Sequence, residues 1–369
     1  MYSLVQISRR QISLRVLIGI LVPLGIFACA GGRVLTKETP AHHTEDGFRN
    51  LYLPLEQQKK SLWSVMKMRF GEEWADHTKE AKSIPTVPVD LTRLRTPNGA
   101  QATWLGHSTF LIQVDGLTIL TDPVFSERAS PVSWAGPLRY TKPALRAHEL
   151  PRVDVVVVSH NHYDHLDLPS VKDIGNQALW LVPLGNRQIL ESVGITNVVE
   201  LDWWEAHTMG DWTFTATPVQ HWSARGVFDR LESLWSGWVG EKKGFRFYFA
   251  GDTGYNEHDF KETGAKFGAF DLALIPIGAY EPAWFMRNMH VNPEEAVRIH
   301  QDVGSKLSLA IHWGTFPLTA EPPSDPPLRL KKALQAAGLS ENAFRAIPIG
   351  YTASIPLTVH AAEYPLHED

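Results

Sequence analysis

Three histidines and one aspartate stand within six positions of this chain, in the segment Ser159-His160-Asn161-His162-Tyr163-Asp164-His165. The segment directly follows four valines at 155–158, which predict a buried strand. Neutral imidazole and carboxylate are the ligands that Zn²⁺ prefers where no thiolate is offered. The segment holds more ligands than one catalytic zinc uses while keeping an open position, so it predicts two metal ions. Two metal ions can orient an attacking hydroxide and stabilise both oxygens of an in-line displacement.

The spacing inside this motif predicts how the two ions share it. The two histidines of the H-x-H part are two positions apart, so on extended backbone they project to the same side. The aspartate–histidine pair follows where the chain should enter a helix, because Asp167 suits the N-cap and Pro169 suits the first turn. We therefore predict that the first pair binds one ion and the second pair its neighbour.

Three further candidate ligands each stand just past a predicted strand, as the motif does. They are His221 after residues 212–219, Asp252 after residues 245–250 and His312 after residues 307–311. The glycine before the second of them, Gly251, would let the backbone approach closely. With the motif they make seven ligands, which two zinc ions share if Asp252 bridges. The hypothesis assigns His160, His162 and His221 to one ion, and Asp164, His165 and His312 to the other.

Four residues are candidates for roles around the metal ions. We predict that His107 and Asp122 orient ligands through hydrogen bonds, with a strand-start residue and an Asp-Pro turn as the alternatives. His290 precedes a helix and is predicted to contact substrate and to take part in catalysis with Asp252; helping to start that helix is its alternative role. Tyr163, inside the motif, is the second substrate-binding candidate.

The composition limits the class of protein. The 369 residues suffice for one large domain or two small ones, and 44% hydrophobic with 20% charged residues is ordinary for a soluble globular protein. The net charge of −5 gives no general basic field, so no nucleic-acid partner is predicted. A single cysteine, Cys29, excludes an internal disulfide and a Cys-based metal site.

Residues 1–30 have the pattern of a secretory signal or a membrane anchor. Arg9, Arg10 and Arg15 precede an apolar stretch that is shorter than the roughly 20 residues of a membrane span. Cleavage at an A-x-A site, lipidation at Cys29 and an uncleaved anchor stay open. Each alternative predicts a protein of the cell envelope, either periplasmic or membrane-anchored.

The rest of the chain divides into an N-terminal segment and a large domain. Residues 31–84 are predicted to hold a polar linker followed by an amphipathic helix over residues 55–76. We expect the apolar face of that helix to pack onto the main domain, with contact to a membrane as the alternative. Residues 85–360 show strands interleaved with helices, including a hairpin at Asp115-Gly116, and predict an α/β sandwich with helices outside.

Longer stretches of the chain resemble a known family. The motif and the later His, Asp and His resemble the metallo-β-lactamase superfamily. Within it the chain is similar to the N-acylphosphatidylethanolamine-hydrolysing phospholipase D family. The stretches that carry this closer likeness are residues 104–107, 120–125, 159–167, 200–205, 220–222, 249–255, 275–282, 290–300 and 310–316.

The resemblance implies a four-layer αββα sandwich with a dinuclear zinc site at one edge of its two sheets. It implies hydrolysis of N-acylphosphatidylethanolamine to N-acylethanolamine and phosphatidate, for which we expect a metal-bridging hydroxide as the nucleophile. A membrane phospholipid would be the substrate, with a membrane surface beside a hydrophobic groove and often a homodimer. The implied histidine near the substrate phosphate is His290, and the implied zinc ligands are His160, His162, Asp164, His165, His221, Asp252 and His312.

Several alternatives stay open. A lactonase acting on sugar-phosphate lactones, or a hydrolase of small phosphodiesters, would use the same metals with a different groove. Iron is an alternative to zinc, since imidazole and carboxylate also suit iron. A non-enzymatic envelope lipid-binding protein would need a closed, four-coordinate zinc, which seven ligands argue against. Residues 223–240 and the first hundred residues differ from the animal members, so no lipid preference is predicted.

Overall fold

The computed structural model describes residue 36, residues 38–58 and residues 60–357. The predicted signal or anchor, with Cys29, lies outside the described residues. The strands of the described residues are β1 His43–Thr44, β2 Gly47–Phe48, β3 Gln101–Gly106, β4 Thr109–Val114, β5 Leu117–Thr121, β6 Val155–Val157, β7 Leu179–Pro183, β8 Val198–Leu201, β9 Ala206–Met209, β10 Trp212–Thr217, β11 Gly237–Lys242, β12 Phe245–Phe249, β13 Leu272–Pro276, β14 Ser308–Ile311, β15 Phe344–Arg345 and β16 Thr352–Ser354. The α-helices are α1 Leu55–Gln58, α2 Leu62–Gly71, α3 His77–Glu80, α4 Leu91–Arg95, α5 Leu168–Ile174, α6 Arg187–Glu191, α7 Asp259–Phe267, α8 Ala283–Met286, α9 Pro293–Asp302 and α10 Asp325–Ala336.

Two seven-stranded sheets form the body of the protein. The strand order is β16-β3-β4-β5-β6-β7-β8 in the first sheet and β15-β14-β13-β12-β11-β10-β9 in the second. Each sheet is antiparallel in one half and parallel in the other: β5 to β8 run parallel in the first, and β12 to β15 in the second. Because the carboxyl ends of parallel strands meet at one edge of a sheet, the residues that follow them are brought together.

The layers of the fold follow from the alternation of side chains along buried strands. In β6, Val155 and Val157 pack into the core between the sheets, whereas Val156 belongs to an apolar cluster that includes Val171 and Ile174 of α5. Both faces of this parallel strand are therefore covered, which explains its run of valines. Helices α5 and α6 pack on the first sheet, and α7 and α9 on the second. The predicted αββα sandwich is confirmed.

The segment before the first helix corrects one sequence prediction. Where a polar linker was expected, residues 42–50 form the β1–β2 hairpin and pack into the domain. His42, Phe48 and Asn50 are buried, the first against the ring of Trp203 at 4.3 Å. The physical reason is that the polar groups of this segment find partners in the domain, a property that composition does not reveal. We call residues 42–58 the N-terminal arm.

The predicted helix over residues 55–76 is also corrected. The chain forms two helices, α1 and α2, and Trp63, Met66 and Phe70 of α2 do not pack onto the domain: they are 70%, 57% and 74% exposed. These three residues are spaced i, i+3 and i+7, so they share one face of α2, and that face is exposed. Within the described residues, no helix combines the length and the apolar character that a membrane span requires.

Candidate metal centre

The structure places all seven predicted ligands at the edge of the sandwich where the parallel strands end. Each ligand is carried by a loop at a strand end or by the turn into α5. His160 and His162 follow β6, Asp164 and His165 precede α5, His221 follows β10, Asp252 follows β12 and His312 follows β14. At Gly251 the backbone is left-handed, with φ 59°, and a Cβ would collide with Ser159. This is the close approach that the sequence predicts for that glycine.

One group of ligand nitrogens comes from three histidines. His160 Nε2 lies 2.7 Å from His162 Nδ1, which lies 3.3 Å from His221 Nε2. The outer nitrogens of two of these rings are engaged elsewhere: His160 Nδ1 lies 2.9 Å from Ser159 Oγ, and His221 Nδ1–H donates to the carbonyl oxygen of Met289 at 2.9 Å. Because a carbonyl only accepts, the second bond leaves the Nε2 lone pair of His221 directed into the site.

A second group lies beside the first. His312 Nε2 is 3.3 Å and His165 Nε2 is 3.5 Å from Asp164 Oδ2. His107 Nε2 approaches the same oxygen at 3.1 Å, so this residue touches the site rather than only starting a strand. Its ring also lies 4.2 Å from that of His312, which packs the two side chains together.

Asp252 lies between the two groups. Its Oδ2 is 3.0 Å from His312 Nε2, 3.1 Å from His165 Nε2, 3.7 Å from His221 Nε2 and 4.0 Å from His160 Nε2. One carboxylate oxygen therefore faces histidines of both groups. The division of the ligands between two ions and the bridging role of Asp252 stay predictions.

Several nitrogen and oxygen atoms of the ligand residues are buried without a hydrogen-bond partner in the protein. Among the described residues these include His162 Nε2, His165 Nε2 and Asp252 Oδ1. A buried polar atom without a partner costs about 1–3 kcal/mol, so such atoms are normally satisfied by water, an ion or a ligand. Buried imidazole nitrogens and a carboxylate oxygen that converge in this way fit a divalent metal ion.

The two buried carboxylates of the site favour positive charge beside them. Burial by itself raises the pKa of a carboxyl group, but the neighbouring histidines, His165 foremost, together outweigh burial and hold the pKa of Asp252 and Asp164 well below their usual range. Burial likewise lowers the pKa of an imidazole, yet the carboxylates raise the pKa of His165 well above its ordinary value and that of His312 to about 9. Two buried negative charges are thus balanced by protons on ligand histidines, at the place where metal ions would supply the charge.

The remaining imidazoles of the site are neutral. Burial is the main cause that lowers the pKa of His162 to about 3 and the pKa of His160 and His221 well below the ordinary value. Burial also lowers the pKa of His107 to about 3 and of His290 to about 4. Neutral imidazole is the form that binds a metal ion.

Asp122 orients two residues of the motif. Its carboxylate accepts hydrogen bonds from His165 Nδ1 at 2.6 Å, from the Ser159 backbone N–H at 2.7 Å and from Ser159 Oγ at 2.5 Å. Since Ser159 Oγ donates to Asp122, it accepts from His160 Nδ1. The predicted orienting role therefore has a physical basis, because these bonds turn the Nε2 atoms of both histidines into the site.

Two contacts that sequence reasoning missed hold the site from outside. Arg225 Nη1 donates to the carbonyl oxygens of Asn161 and Leu166, both at 2.8 Å, and so spans the motif loop. Asn50 of the N-terminal arm donates to the carbonyl oxygen of His221 at 2.8 Å. These partners lie far apart in the sequence and in no recognisable spacing, so no local signal points to them.

The two predicted substrate-binding residues lie on different sides of the site. His290 Nδ1 is 3.8 Å from Asp252 Oδ2, is buried and has no hydrogen-bond partner. The Tyr163 hydroxyl donates to the carbonyl oxygen of Arg225 at 2.6 Å, under the guanidinium group of that arginine. Tyr163 lines a cleft of about 390 Å³ with Val132 and Leu168, so its ring rather than its hydroxyl is available to a ligand.

Comparison with known proteins decides the family. Residues 118–313 match the family described as "Beta-lactamase superfamily domain". The chain belongs to the metallo-β-lactamase superfamily. The chain is a hydrolase of the metallo-β-lactamase fold, and the fold implies a divalent metal ion, which the cluster just described could hold.

Two relatives within the metallo-β-lactamase superfamily are especially similar. The chain is 43% identical over 313 residues to N-acyl-phosphatidylethanolamine-hydrolyzing phospholipase D 1 of Caenorhabditis elegans, covering 79% of this chain and 87% of that one. It is 37% identical over 306 residues to the mitochondrial N-acyl-phosphatidylethanolamine-hydrolyzing phospholipase D of Saccharomyces cerevisiae, covering 78% and 65%. The solved isothiocyanate hydrolase from Delia radicum gut bacteria shares the fold, with a TM-score of 0.58 and 19% identity over 70% of this chain and all of that one.

Proposed function

We propose that the protein is a zinc-dependent phosphodiesterase of the phospholipase D type, which hydrolyses N-acylphosphatidylethanolamine to N-acylethanolamine and phosphatidate. The observation that carries the proposal is the pair of adjoining ligand groups around Asp252 Oδ2, in a chain 43% identical to a worm enzyme of that name. Five imidazoles and two carboxylates without a thiolate suit zinc, and iron is the other outcome of a metal analysis.

The residues of the site divide the work of such a reaction. His160, His162 and His221 would hold one ion, Asp164, His165 and His312 the other, and Asp252 both. Bound at these positions, two metal ions lower the pKa of water toward 7 and take up charge from the phosphodiester. The buried loops around the ligands exclude bulk water, which strengthens every charge interaction inside the site.

His290 is proposed to act on the substrate. Its ring lies 5.1 Å from that of His221 and 5.3 Å from that of His312, so it borders both ligand groups without joining either of the proposed sets. A neutral imidazole there can donate a hydrogen bond to a phosphate oxygen or to the oxygen of the leaving alkoxide, where negative charge develops.

Replacing His290 by asparagine is expected to lower kcat by about 10²-fold, the lower range for loss of a hydrogen bond that stabilises transition-state charge, while the zinc content stays unchanged. Steady-state kinetics and metal analysis of the same preparation check this. His258→Asn, at an exposed histidine, is the control and keeps full activity. Full activity of the His290 variant would contradict the role.

A rim of exposed apolar side chains beside the site supports a membrane surface as partner. We call this set the apolar rim: Trp63, Met66, Phe70, Phe228 and Trp284. Side-chain contacts hold the segments that carry these residues close to the loop of His290: Lys67 lies over Trp284, Arg230 binds the carbonyl oxygen of Gln58, and Asn288, two residues before His290, binds Gln57. With the predicted signal or anchor, the apolar rim supports a location in the cell envelope, facing a phospholipid bilayer.

Phe228, which is 93% exposed, provides the test of the apolar rim. Phe228→Asp is expected to weaken binding to phosphatidylcholine vesicles containing some phosphatidylglycerol by about 10-fold or more, since burying a phenylalanine contributes about 1.5–3 kcal/mol. Vesicle co-sedimentation measures the effect. Leu328→Asp, at an exposed leucine of α10, is the control. Equal binding by both variants would remove Phe228 from the docking surface.

A substrate comparison tests the proposed function. The full chain, loaded with zinc, is assayed on N-acylphosphatidylethanolamine in mixed micelles, on a sugar-phosphate lactone and on bis(p-nitrophenyl) phosphate. We expect the highest kcat/KM on the phospholipid, with turnover lost in His160→Ala. Turnover confined to the lactone or to the small diester would move the function to one of those alternatives.

A further inference from the structure

A second cluster of metal-binding side chains lies outside the catalytic centre. His42 Nε2 is 2.6 Å from Asp202 Oδ1, and His43 Nε2 is 2.7 Å from Asp202 Oδ2. The two histidines stand at the start of the N-terminal arm, and the aspartate directly follows β8, about 160 positions later in the chain. One donor atom from each of the three residues lies within 4.8 Å of the others.

Packing holds the three side chains in this arrangement. The His42 ring stacks on the indole of Trp203 at 4.3 Å, and the His43 ring meets Phe48 edge-on at 5.0 Å. The Asp202 carboxylate also accepts a hydrogen bond from the backbone N–H of Trp203 at 2.8 Å. The donor atoms therefore converge through contacts that do not depend on a ligand, and such pre-organisation lowers the entropy cost of binding one.

The donor set selects a class of ligand. Two imidazoles and one carboxylate form a set that binds Zn²⁺ and leaves a position for water, whereas Ca²⁺ and Mg²⁺ prefer oxygen donors. A similar arrangement, two histidine nitrogens at hydrogen-bond distance from one carboxylate group, occurs in the catalytic centre, where His165 and His312 face Asp252. We propose that His42, His43 and Asp202 form a further metal site, distinct from the catalytic centre, that binds Zn²⁺.

An ion at this site would act on the catalytic centre through the N-terminal arm. The ion would join the N-terminal arm to the end of β8. Further along the same arm, the side chain of Asn50 donates a hydrogen bond to the carbonyl oxygen of His221. Gln58 closes the arm by bonding the backbone N–H and the carbonyl oxygen of Asn50, at 3.0 and 3.1 Å. The ion would therefore fix the segment that supports one catalytic ligand.

Metal counting tests the proposal independently of activity. The full chain, prepared without a histidine tag, is equilibrated with Zn²⁺, desalted and analysed for zinc per chain. We expect His43→Phe and Asp202→Asn each to bind one ion fewer than the wild-type protein. His148→Phe, at an exposed histidine outside the arm, binds as many ions as the wild type. Since only the difference is used, the result does not depend on how many ions the catalytic centre holds.

Zinc contents that are equal in the wild-type protein and the His43 and Asp202 variants would overturn the proposal and leave His42, His43 and Asp202 as a hydrogen-bonded clamp. Circular dichroism checks that each variant is folded.

A second measurement needs no variant: anomalous diffraction at the zinc edge from crystals of the wild-type protein. A peak between His42, His43 and Asp202 is expected, and peaks confined to the catalytic centre would overturn the proposal as well.

Discussion

Asp252→Asn is expected to lower kcat/KM for N-acylphosphatidylethanolamine by about 10³-fold and to reduce the bound zinc. The change keeps the shape of the side chain but removes the charge that faces His165 and His312 at 3.1 and 3.0 Å. Loss of one group that stabilises transition-state charge costs about 10²–10³-fold, and a lost metal ion adds to it. Steady-state kinetics and metal analysis of one preparation measure both effects.

A buried aspartate outside the site is the matched control. Burial is the main cause that raises the pKa of Asp259 to about 6, so the folded protein tolerates the neutral form of this side chain better than that of an ordinary aspartate. Asp259→Asn resembles that neutral form and is expected to keep wild-type activity and zinc content. Asp252→Asn with full activity and full zinc would refute the bridging role of Asp252.

Asp122→Ala is expected to weaken zinc binding by about 10–100-fold, the usual effect of losing a residue that orients a metal ligand. It also leaves the buried donors of His165 and Ser159 without their acceptor. Each such orphaned group costs about 1–3 kcal/mol, so the free energy of unfolding should fall by at least that amount. Zinc titration against a chelator and urea unfolding provide the two measurements.

The control for Asp122 is an exposed carboxylate on the neighbouring helix. Asp173→Ala on α5 changes the unfolding free energy by no more than about 0.5 kcal/mol, as expected for a surface substitution. It leaves zinc affinity unchanged. If the two variants behaved alike, the hydrogen bonds of Asp122 would have no part in orienting the ligands.

The ligands could be placed from sequence because each depends on its immediate neighbours. A buried apolar strand ends at the edge of its sheet, so the polar residue that follows the strand lies at that edge. The Asp115-Gly116 turn is equally local: both residues have positive φ, 47° and 83°, and join β4 to β5 as predicted. Asp167 shows the limit, since it precedes α5 as expected but its carboxylate binds Ser126 instead of the helix N–H groups.

Other features depend on partners distant in the chain. Strand β11 was absent from the prediction because Gly237 and Gly240 weaken a strand pattern. In the structure, neither position has room for a side chain: the ring of Phe247 occupies the space beside Gly240, and the side chains of Thr217 and Tyr248 occupy the space beside Gly237. The same reasoning applies to Arg225, Asn50 and the N-terminal arm, whose roles exist only once the chain has folded.

The most direct test of the central claim is to identify which bond the protein breaks. The zinc-loaded full chain is incubated with N-acylphosphatidylethanolamine in water labelled with the heavy oxygen isotope, and the products are analysed by mass spectrometry. The proposed reaction yields unlabelled N-acylethanolamine and phosphatidate that carries one labelled oxygen, because water attacks phosphorus. Diacylglycerol, a released fatty acid, or label in N-acylethanolamine would contradict phospholipase D chemistry at this site.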